Sequence, residues 1–227
     1  MLKYLLNLFY PEVCSGCSYL LLTTENQICT QCRHEIPLTK HLVLKENEAF
    51  KKFNGKIPTD FVSSMLYYHK KGITQQLIHN LKYNRQQKIG TVLGNWYSND
   101  LKENATLQTV NYIIPVPLHP KRMRERGYNQ ITTFCNALSK NLDIAIDDNL
   151  LFRNQHTETQ SKKDLISRSI LPENTFEVRF DENHHNKHFL LIDDVLTTGA
   201  TLENCGRAIL KIPGAKISII TIAFSES

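Results

Sequence analysis

The chain has 227 residues, of which 41% are hydrophobic and 22% are charged, and its formal net charge is +5. This composition is typical of a soluble globular protein and excludes a chain that is disordered throughout. The length allows one α/β domain of ordinary size and a small additional module. A moderate positive charge fits an anionic substrate or a nucleic acid and does not decide between them.

The first ten residues are mostly apolar. Such a run is shorter than the roughly 20 residues that span a bilayer, so we expect no membrane span. A signal peptide is the alternative, but Pro11, Glu12 and the first cysteine pair occupy the place where a cleavage site needs small residues. We interpret the segment as amphipathic and packed on the protein.

Four of the six cysteines form two CxxC pairs, Cys14 with Cys17 and Cys29 with Cys32. Each pair can turn around one metal ion so that both thiolates face it, and two pairs complete a tetrahedral shell. We therefore predict structural zinc in a small ribbon-like module. A redox pair or disulfides are the alternatives. Cysteines used for metal binding indicate a reducing compartment, so we expect the protein in the cytoplasm.

The region that follows the cysteines, residues 36–58, shows no clear period and is interpreted as a connector. It divides the chain into a zinc-binding module with its connector, residues 1–58, and a second domain, residues 59–227. Within that domain, apolar periodicity predicts a strand over residues 61–68 and helices over residues 73–81 and 89–101.

A second informative stretch begins with a short apolar strand over residues 112–114. Two prolines end this strand, and four cations within six residues precede a helix that begins near Tyr128. A strand, a basic loop and a helix in this order are typical of a pyrophosphate-binding loop, with Arg122 and Arg126 as candidates to neutralise that group. A solvated charged turn is the alternative.

The most informative stretch starts with the apolar residues 189–192, which predict a buried strand of a parallel sheet. Asp193 and Asp194 stand at its carboxyl end, where carboxylates can accept hydrogen bonds from ribose hydroxyls and hold magnesium through water. A turn rich in hydroxyls and glycine then leads into a helix, whose free N–H groups suit a phosphate monoester. An ordinary strand-to-helix turn is the alternative. The residues of the turn are Thr197, Thr198, Gly199, Ala200 and Thr201.

The sequence LLIDDVLTTGAT, residues 190–201, resembles the phosphoribosyl-pyrophosphate (PRPP) loop of type I phosphoribosyltransferases. The sequence PVPLHPKRMRERGYNQ, residues 115–130, resembles a signature of the ComF family, and a further family-like pattern begins at Arg153. Residues 153–169, which carry part of that pattern, suit a lid over a sugar phosphate or a simple solvated loop. The ComF family joins a cysteine zinc module to a phosphoribosyltransferase-like domain, and its members are implicated in DNA uptake during natural transformation.

The resemblance implies an α/β fold of the type I phosphoribosyltransferase kind, a mostly parallel sheet with helices on both faces, preceded by the zinc module. It implies that PRPP or a related sugar phosphate binds with magnesium, and that a phosphoribosyl group is transferred to an unidentified base. Asp193, Asp194 and residues 197–201 would hold the ribose, magnesium and 5-phosphate, while Arg122 and Arg126 would face the pyrophosphate. The alternative is a non-catalytic competence factor that senses PRPP or handles single-stranded DNA, with DNA or the competence machinery as its partner.

Overall fold

The structure is a computed structural model, and it describes residues 11–153 and 175–226. The N-terminal apolar segment, residues 1–10, and most of the predicted lid, residues 154–169, lie outside the described residues. Within the described ranges, no helix combines the length and the apolarity that crossing a membrane requires.

A five-stranded parallel sheet forms the centre of the fold, in the strand order β1-β7-β6-β2-β3. Two short strands, β4 and β5, form a separate antiparallel pair. The predicted strands over residues 61–68, 112–114 and 189–192 are confirmed. The strands are β1 Phe61–Tyr67, β2 Tyr112–Pro115, β3 Ala145–Ile146, β4 Leu151–Arg153, β5 Phe176–Val178, β6 His188–Leu196 and β7 Lys216–Phe224.

Helices cover both faces of this sheet, as the sequence predicts. Alternate residues of β6 enter different core clusters, because successive side chains of a strand point to opposite faces. Leu190 and Ile192 join the cluster that contains α3, α4 and α6 residues, whereas Phe189 and Leu191 join the cluster that contains α2 and α7 residues. The helices are α1 Thr30–Glu35, α2 Glu48–Lys51, α3 Ile73–Tyr83, α4 Lys88–Leu101, α5 Pro120–Arg126, α6 Thr132–Leu142 and α7 Ala200–Ile209.

The cysteine module packs directly on the sheet domain. Three of its cysteines belong to the same core cluster as the buried residues of α3 and α4. The side chain of Asn80 in α3 donates a hydrogen bond of 2.8 Å to the carbonyl oxygen of Ser15, and Arg33 lies 4.7 Å from the centre of the Trp96 ring. The module and the helices on this face of the sheet therefore share one core, and the division of the chain at residue 58 stays a prediction.

The basic stretch after β2 is a helix, α5, rather than the loop that the sequence analysis expects. Pro120 occupies its first turn, where the missing N–H costs no hydrogen bond. Gly127 ends it with a left-handed backbone at φ +77°, a conformation that glycine adopts without a steric cost. None of its seven residues is buried, so the helix is held at its ends and presents its cations along an exposed surface.

Candidate active site

A crevice opens where the pairing between β6 and β2 stops. The register joins Ile192 of β6 to Pro115, the last residue of β2, while β6 continues beside β7 as far as Leu196. The strand thus runs past the two aspartates, although the sequence places them at its end. Asp193 and Asp194 therefore lie on a well-fixed strand and at the edge of the gap left by β2. Ligands bind at such points of parallel sheets, where neighbouring connections leave in opposite directions.

Both carboxylate oxygens of Asp194 are engaged within the protein. Lys82, near the carboxyl end of α3, places its Nζ 2.9 Å from Asp194 Oδ1. Gln130 donates a hydrogen bond from Nε2 to Asp194 Oδ2. Asp194 is buried, with 5% of its surface exposed, and a buried carboxylate needs partners of this kind because it has lost its water. We conclude that Asp194 holds α3 and the residues after α5 against β6.

Asp193 is the freer of the two carboxylates. Its Oδ1 accepts a hydrogen bond of 2.8 Å from the backbone N–H of Asp194. Burial, and then the negative charge of Asp194, raise the pKa of Asp193 to about 7, although the cations of Lys82 and Arg122 act in the opposite direction. Near neutral pH this group can therefore take up or lose a proton, and a bound cation would favour its charged form.

Arg126 connects the basic helix to the acidic pair through Gln130. Its Nη1 donates a hydrogen bond of 2.7 Å to Gln130 Oε1, and its guanidinium carbon lies 5.0 Å from the centre of the Tyr83 ring. Arg122 stands four residues earlier, on the same side of α5, and is exposed. The structure thus brings the predicted cations and the predicted carboxylates to one crevice, with Arg126 inside it and Arg122 at its rim.

The turn between β6 and α7 has the geometry of an anion cradle. Gly199 stands immediately before α7 with φ +83°, and the first turn of a helix offers N–H groups that the helix itself does not use. A side chain on Gly199 would also meet Phe53, whose ring carbon lies 3.3 Å from the position of an added Cβ. Thr197 and Thr198 are exposed, so their hydroxyls are accessible to a bound phosphate.

The four CxxC cysteines converge on one point. One Sγ atom from each of Cys14, Cys17, Cys29 and Cys32 lies within 4.8 Å of the other three, and Cys17 Sγ lies 3.7 Å from Cys29 Sγ. Two sulfurs bound tetrahedrally to zinc at ~2.3 Å are about 3.8 Å apart, whereas disulfide sulfurs are about 2.05 Å apart. All four cysteines are free thiols. The spacing therefore fits a shared metal ion and does not fit disulfides.

Comparisons with known proteins show what this chain is similar to. Residues 132–227 match a family model described as the phosphoribosyl transferase domain. The chain is 28% identical over 225 residues to competence protein F of Haemophilus influenzae, covering 95% of this chain and 98% of that protein. It is 26% identical over 214 residues to competence protein ComFC of Bacillus subtilis, covering 93% of this chain and 83% of that protein. These relatives and the family model support the prediction of a ComF family protein with a phosphoribosyltransferase-like domain. The crystal structure of an adenine phosphoribosyltransferase aligns with a TM-score of 0.41 at 12% identity, covering 63% of this chain and 73% of that one.

The prediction of the fold class is thus confirmed, and the competence relatives support the predicted family. The phosphoribosyl transferase match covers α6, β6, the turn at residues 197–201, α7 and β7. The cysteine module and α5 lie before the matched residues, and only the two competence relatives, which align over most of the chain, cover them.

The cluster of four CxxC cysteines offers a donor set that suits zinc. Backbone N–H groups of Gly16 and Cys29 point at Cys14 Sγ from 3.3 Å and 3.2 Å. Burial raises the pKa of the Cys14 thiol, but these N–H groups and that of Cys17 outweigh it and lower the pKa to about 7. A sulfur that accepts several N–H groups is prepared to carry negative charge, which is the form that binds a metal.

The acidic pair offers fewer ligands to magnesium. Asp194 has both oxygens engaged, so Asp193 is the carboxylate with an oxygen to spare. Magnesium takes six oxygen ligands and usually keeps several waters, binding proteins through one or two carboxylates together with substrate phosphates. Asp193 fits that pattern if PRPP itself supplies most of the remaining oxygens.

Three residues of the crevice are absent from the candidate site residues that the sequence analysis provides. Lys82 lies near the end of a predicted helix, and the sequence is equally consistent with a solvated helix cap and with a phosphate contact for this residue. Gln130 stands out in the sequence only as the last residue of the ComF-like signature. Phe53 lies in the predicted connector, yet it is 1% exposed and packs beneath the turn at residues 197–201. The regular spacing of Ala49, Phe53 and Ile57, all buried, is the signal that could have revealed this packing.

Proposed function

We propose that this ComF protein binds PRPP together with magnesium and transfers its phosphoribosyl group to a nitrogen base, releasing pyrophosphate. The observation that carries the proposal is the convergence at one crevice of three groups: the acidic pair on β6, the hydroxyl and glycine turn before α7, and the basic helix after β2. These groups match the ribose, the 5-phosphate and the pyrophosphate of PRPP in charge and in hydrogen-bonding capacity.

Each group of residues in the crevice has a separate role in binding, which follows from its surroundings. The turn at residues 197–201 receives the 5-phosphate at the amino end of α7. Asp193 accepts hydrogen bonds from ribose hydroxyls, and magnesium held beside it would neutralise the pyrophosphate and favour its departure. Arg126, placed by Gln130 and Tyr83, and Arg122 at the rim face the pyrophosphate and balance its charge.

The transfer itself needs no protein nucleophile. A lone pair of the acceptor nitrogen forms the bond to C1 of the ribose, while the bond from C1 to the pyrophosphate oxygen breaks and its electron pair leaves with pyrophosphate. The proton of the acceptor N–H passes to the departing pyrophosphate. The transition state resembles an oxocarbenium ion, which the nearby carboxylates stabilise electrostatically, so catalysis consists mainly of positioning and charge complementarity.

Titration calorimetry with PRPP in the presence and absence of magnesium tests the binding step. We expect binding that depends on magnesium and that is lost in Asp193→Asn, with Asp100→Asn as a matched control, because Asp100 is an exposed residue near the end of α4. A screen of nitrogen bases for pyrophosphate release then tests the transfer step. Binding of PRPP that is equal in the wild type and Asp193→Asn would refute the assignment of the acidic residue.

For the cysteine module we propose a structural zinc ion held by Cys14, Cys17, Cys29 and Cys32. The support is the sulfur spacing and the set of four thiols, since structural zinc sites are closed shells of this type. Six free thiols in a single chain also favour a reducing compartment, so we propose that the protein works in the cytoplasm.

A second candidate function is favoured by the outward side of α5. Lys121 and Arg124 are exposed. Arg124 points away from Arg126, because residues two positions apart lie on opposite sides of a helix, and Lys121 shares the side of Arg124 because it lies three positions before it. Exposed cations of this kind can bind the phosphates of single-stranded DNA. In this alternative the protein senses PRPP without turnover and handles DNA, in agreement with the name of the competence relatives.

A further inference from the structure

The chain between the cysteine module and β1 packs along α7. This stretch, residues 47–57, consists of α2 and the turns that follow it, and we call it the α2 segment. Its buried residues Ala49, Phe53 and Ile57 belong to the same core cluster as the buried residues of α7. The sequence analysis interprets these residues as part of a connector, but their packing places them against the helix that follows the turn at residues 197–201.

Asn47 fixes the start of the α2 segment to the edge of the sheet. Its Oδ1 accepts a hydrogen bond of 2.9 Å from the backbone N–H of Phe50, which caps α2. Its Nδ2 lies 2.8 Å from the carbonyl oxygen of Val62 in β1 and 3.0 Å from that of His41. Because these bonds tie the segment to a strand of the sheet, it can act as a rigid support for the elements that pack on it.

Two glycines let the α2 segment approach α7 and the turn before it closely. At Gly199 an added Cβ would lie 3.3 Å from Cε1 of Phe53, and at Gly206 it would lie 2.6 Å from Cδ1 of Ile57. Gly206 stands inside α7, where glycine weakens a helix relative to alanine. The close approach of the α2 segment explains why a glycine occupies this position.

The α2 segment also balances a carboxylate at the amino end of α7. Glu203 lies in the first turn of this helix, and its backbone N–H donates a hydrogen bond of 2.8 Å to the carbonyl oxygen of Gly199. A carboxylate at this place competes with a phosphate for the positive end of the helix dipole. Arg207 Nη2 lies 2.8 Å from Glu203 Oε1, and Lys56 Nζ lies 3.9 Å from Glu203 Oε2. Each oxygen of the carboxylate therefore has a cation beside it, and one of these cations comes from the α2 segment.

We propose that the α2 segment is a positioning element of the proposed phosphate site, in which Phe53 supports the turn at residues 197–201 and Lys56 offsets the charge of Glu203. The proposal rests on the proposed binding of a sugar phosphate and adds residues from outside the turn to it. Phe53 is 1% exposed, so it acts through the backbone of Gly199 and not by contact with a ligand. Such support matters because a displacement of about 1 Å in a binding site can reduce catalysis by about a hundredfold.

Phe53→Leu tests the support of the turn in the full chain. Phe189→Leu is the matched control, since Phe189 is a buried phenylalanine of the same core cluster at the amino end of β6. The probes are ribose 5-phosphate and pyrophosphate with magnesium, and titration calorimetry measures their binding. We expect Phe53→Leu to weaken ribose 5-phosphate by at least about fivefold and to keep pyrophosphate within about twofold of the wild type. Phe189→Leu should keep both ligands.

Hydrogen exchange of the backbone amides of residues 198–203 provides a readout that needs no ligand. Local opening of the turn exposes these amides to solvent, while the amides of β7 report on opening of the whole domain. Relative to β7, the amides of residues 198–203 should exchange about tenfold faster in Phe53→Leu than in the wild type. Phe189→Leu should leave this ratio unchanged.

Lys56→Gln tests the charge balance without altering the core, since the side chain of Lys56 is 43% exposed. It should weaken ribose 5-phosphate by about two- to threefold at low salt. Lys51→Gln, at an exposed position of α2, removes the same charge and should have no effect. Addition of Glu203→Gln to Lys56→Gln should restore at least the wild-type affinity, because the unbalanced carboxylate is then gone. A purely structural role of Lys56 predicts no such rescue.

The possible results distinguish the positioning role from the proposed function. Affinity for ribose 5-phosphate and amide exchange that are the same in Phe53→Leu and Phe189→Leu would overturn the role of Phe53, as would equal loss of ribose 5-phosphate and pyrophosphate. Absence of rescue by Glu203→Gln would overturn the role of Lys56. Faster exchange of the turn in Phe53→Leu, in a protein whose wild type binds neither ribose 5-phosphate nor PRPP, would support the positioning of the turn and refute the proposed PRPP function.

Discussion

Lys82 Nζ lies 2.9 Å from Asp194 Oδ1, an ion pair that joins α3 to β6 at the point where the sheet leaves room for a ligand. Only 21% of the lysine side chain and 8% of the aspartate side chain are exposed. The pair has lost most of its water, so the loss of either partner leaves a charge that is costly to bury. The same lysine also lines a pocket that α3 forms with the carboxyl ends of β1, β7 and β6, so the ion pair helps to fix the position of α3 over the sheet.

Replacement of this lysine tests the importance of the pair. Lys82→Met should lower the free energy of unfolding by about 2–3 kcal/mol at about pH 8, because Asp194 stays buried without its cation. Lys88→Met, at an exposed position of α4, should change it by less than about 0.5 kcal/mol. Urea denaturation of the two variants and the wild type provides the measurement. Equal effects of the two substitutions would show that the pair contributes nothing.

Asp193 makes the stability of the ligand-free protein depend on pH. Its folded-state pKa of about 7 lies above the ordinary value of 3.8, so between these values the folded protein keeps a proton that the unfolded chain has released. The free energy of unfolding therefore falls as the pH rises from about 4 to about 7. Asp193→Asn does not titrate and should be more stable than the wild type by about 1–2 kcal/mol at about pH 8.

That advantage of Asp193→Asn should shrink as the pH is lowered towards about 5, where the wild-type carboxyl is mostly protonated in the folded state. Urea denaturation at the two pH values, without PRPP or magnesium and with zinc kept saturating, measures the change. A stability difference that does not vary with pH would mean that Asp193 titrates in its ordinary range.

Substitution of Gly199 and of Gly55 by alanine distinguishes the effect of backbone strain from the effect of contact with a neighbouring side chain. Both have positive φ, +83° and +72°, but an added Cβ would meet the Phe53 ring only at Gly199. Gly55→Ala should cost about 1 kcal/mol of stability and leave PRPP binding unchanged. Gly199→Ala should cost more and weaken PRPP by at least about tenfold, because the turn before α7 has to shift. Calorimetry that finds equal PRPP affinity in both variants would contradict the role of the turn.

Much of the crevice was predictable, because its parts are local patterns. The strand, the two aspartates and the turn at residues 197–201 are contiguous, and an apolar run followed by hydroxyls, glycine and a helical period specifies them without knowledge of the rest of the chain. The two CxxC pairs are also a local pattern, and their spacing predicts that the four cysteine sulfurs lie close together. The helix α5 was also predictable, since Pro120 and Gly127 mark its two ends. Its four cations within six residues favoured the prediction of a loop instead.

The contacts between distant segments were not predictable. The pairing of Lys82 with Asp194 depends on how α3 crosses the sheet, which the period of the helix does not reveal. The position of Phe53 beneath Gly199 likewise depends on how the segment before β1 packs. The order of the strands, which places β6 between β7 and β2, arises from long-range pairing rather than from any local sequence signal.

Removal of the proposed zinc should weaken the crevice as well as the module. Cys32 is 2% exposed and belongs to the core cluster that includes α3, and Asn80 of α3 bonds to the carbonyl of Ser15. Cys32→Ser should reduce zinc from about one ion per chain, lower stability by about 3 kcal/mol or more, and weaken PRPP. Cys135→Ala, at a buried cysteine that is not one of the four CxxC cysteines, should keep its zinc. Elemental analysis and calorimetry test both variants, and full PRPP affinity in zinc-free protein would refute the coupling.

The basic helix separates the two candidate functions, because its cations lie on different sides. The double variant Arg122→Gln, Arg126→Gln should weaken the binding of PRPP much more than the binding of ribose 5-phosphate, since only PRPP carries the pyrophosphate that these residues are proposed to face. The double variant Lys121→Gln, Arg124→Gln removes the same charge from the outward side and should leave both ligands unaffected.

Single-stranded DNA gives the opposite expectation for these two pairs. If the outward cations bind phosphates, the double variant Lys121→Gln, Arg124→Gln should weaken the binding of DNA of any sequence to the same extent. It should also reduce the slope of the logarithm of the binding constant against the logarithm of salt concentration by up to about one per lost contact. Calorimetry with the two sugar phosphates and fluorescence anisotropy with labelled DNA at several salt concentrations provide the measurements. Equal loss of PRPP and ribose 5-phosphate in the Arg122 and Arg126 variant would contradict the pyrophosphate role. We expect PRPP to be the ligand lost selectively, because Arg126 already reaches Asp194 through Gln130.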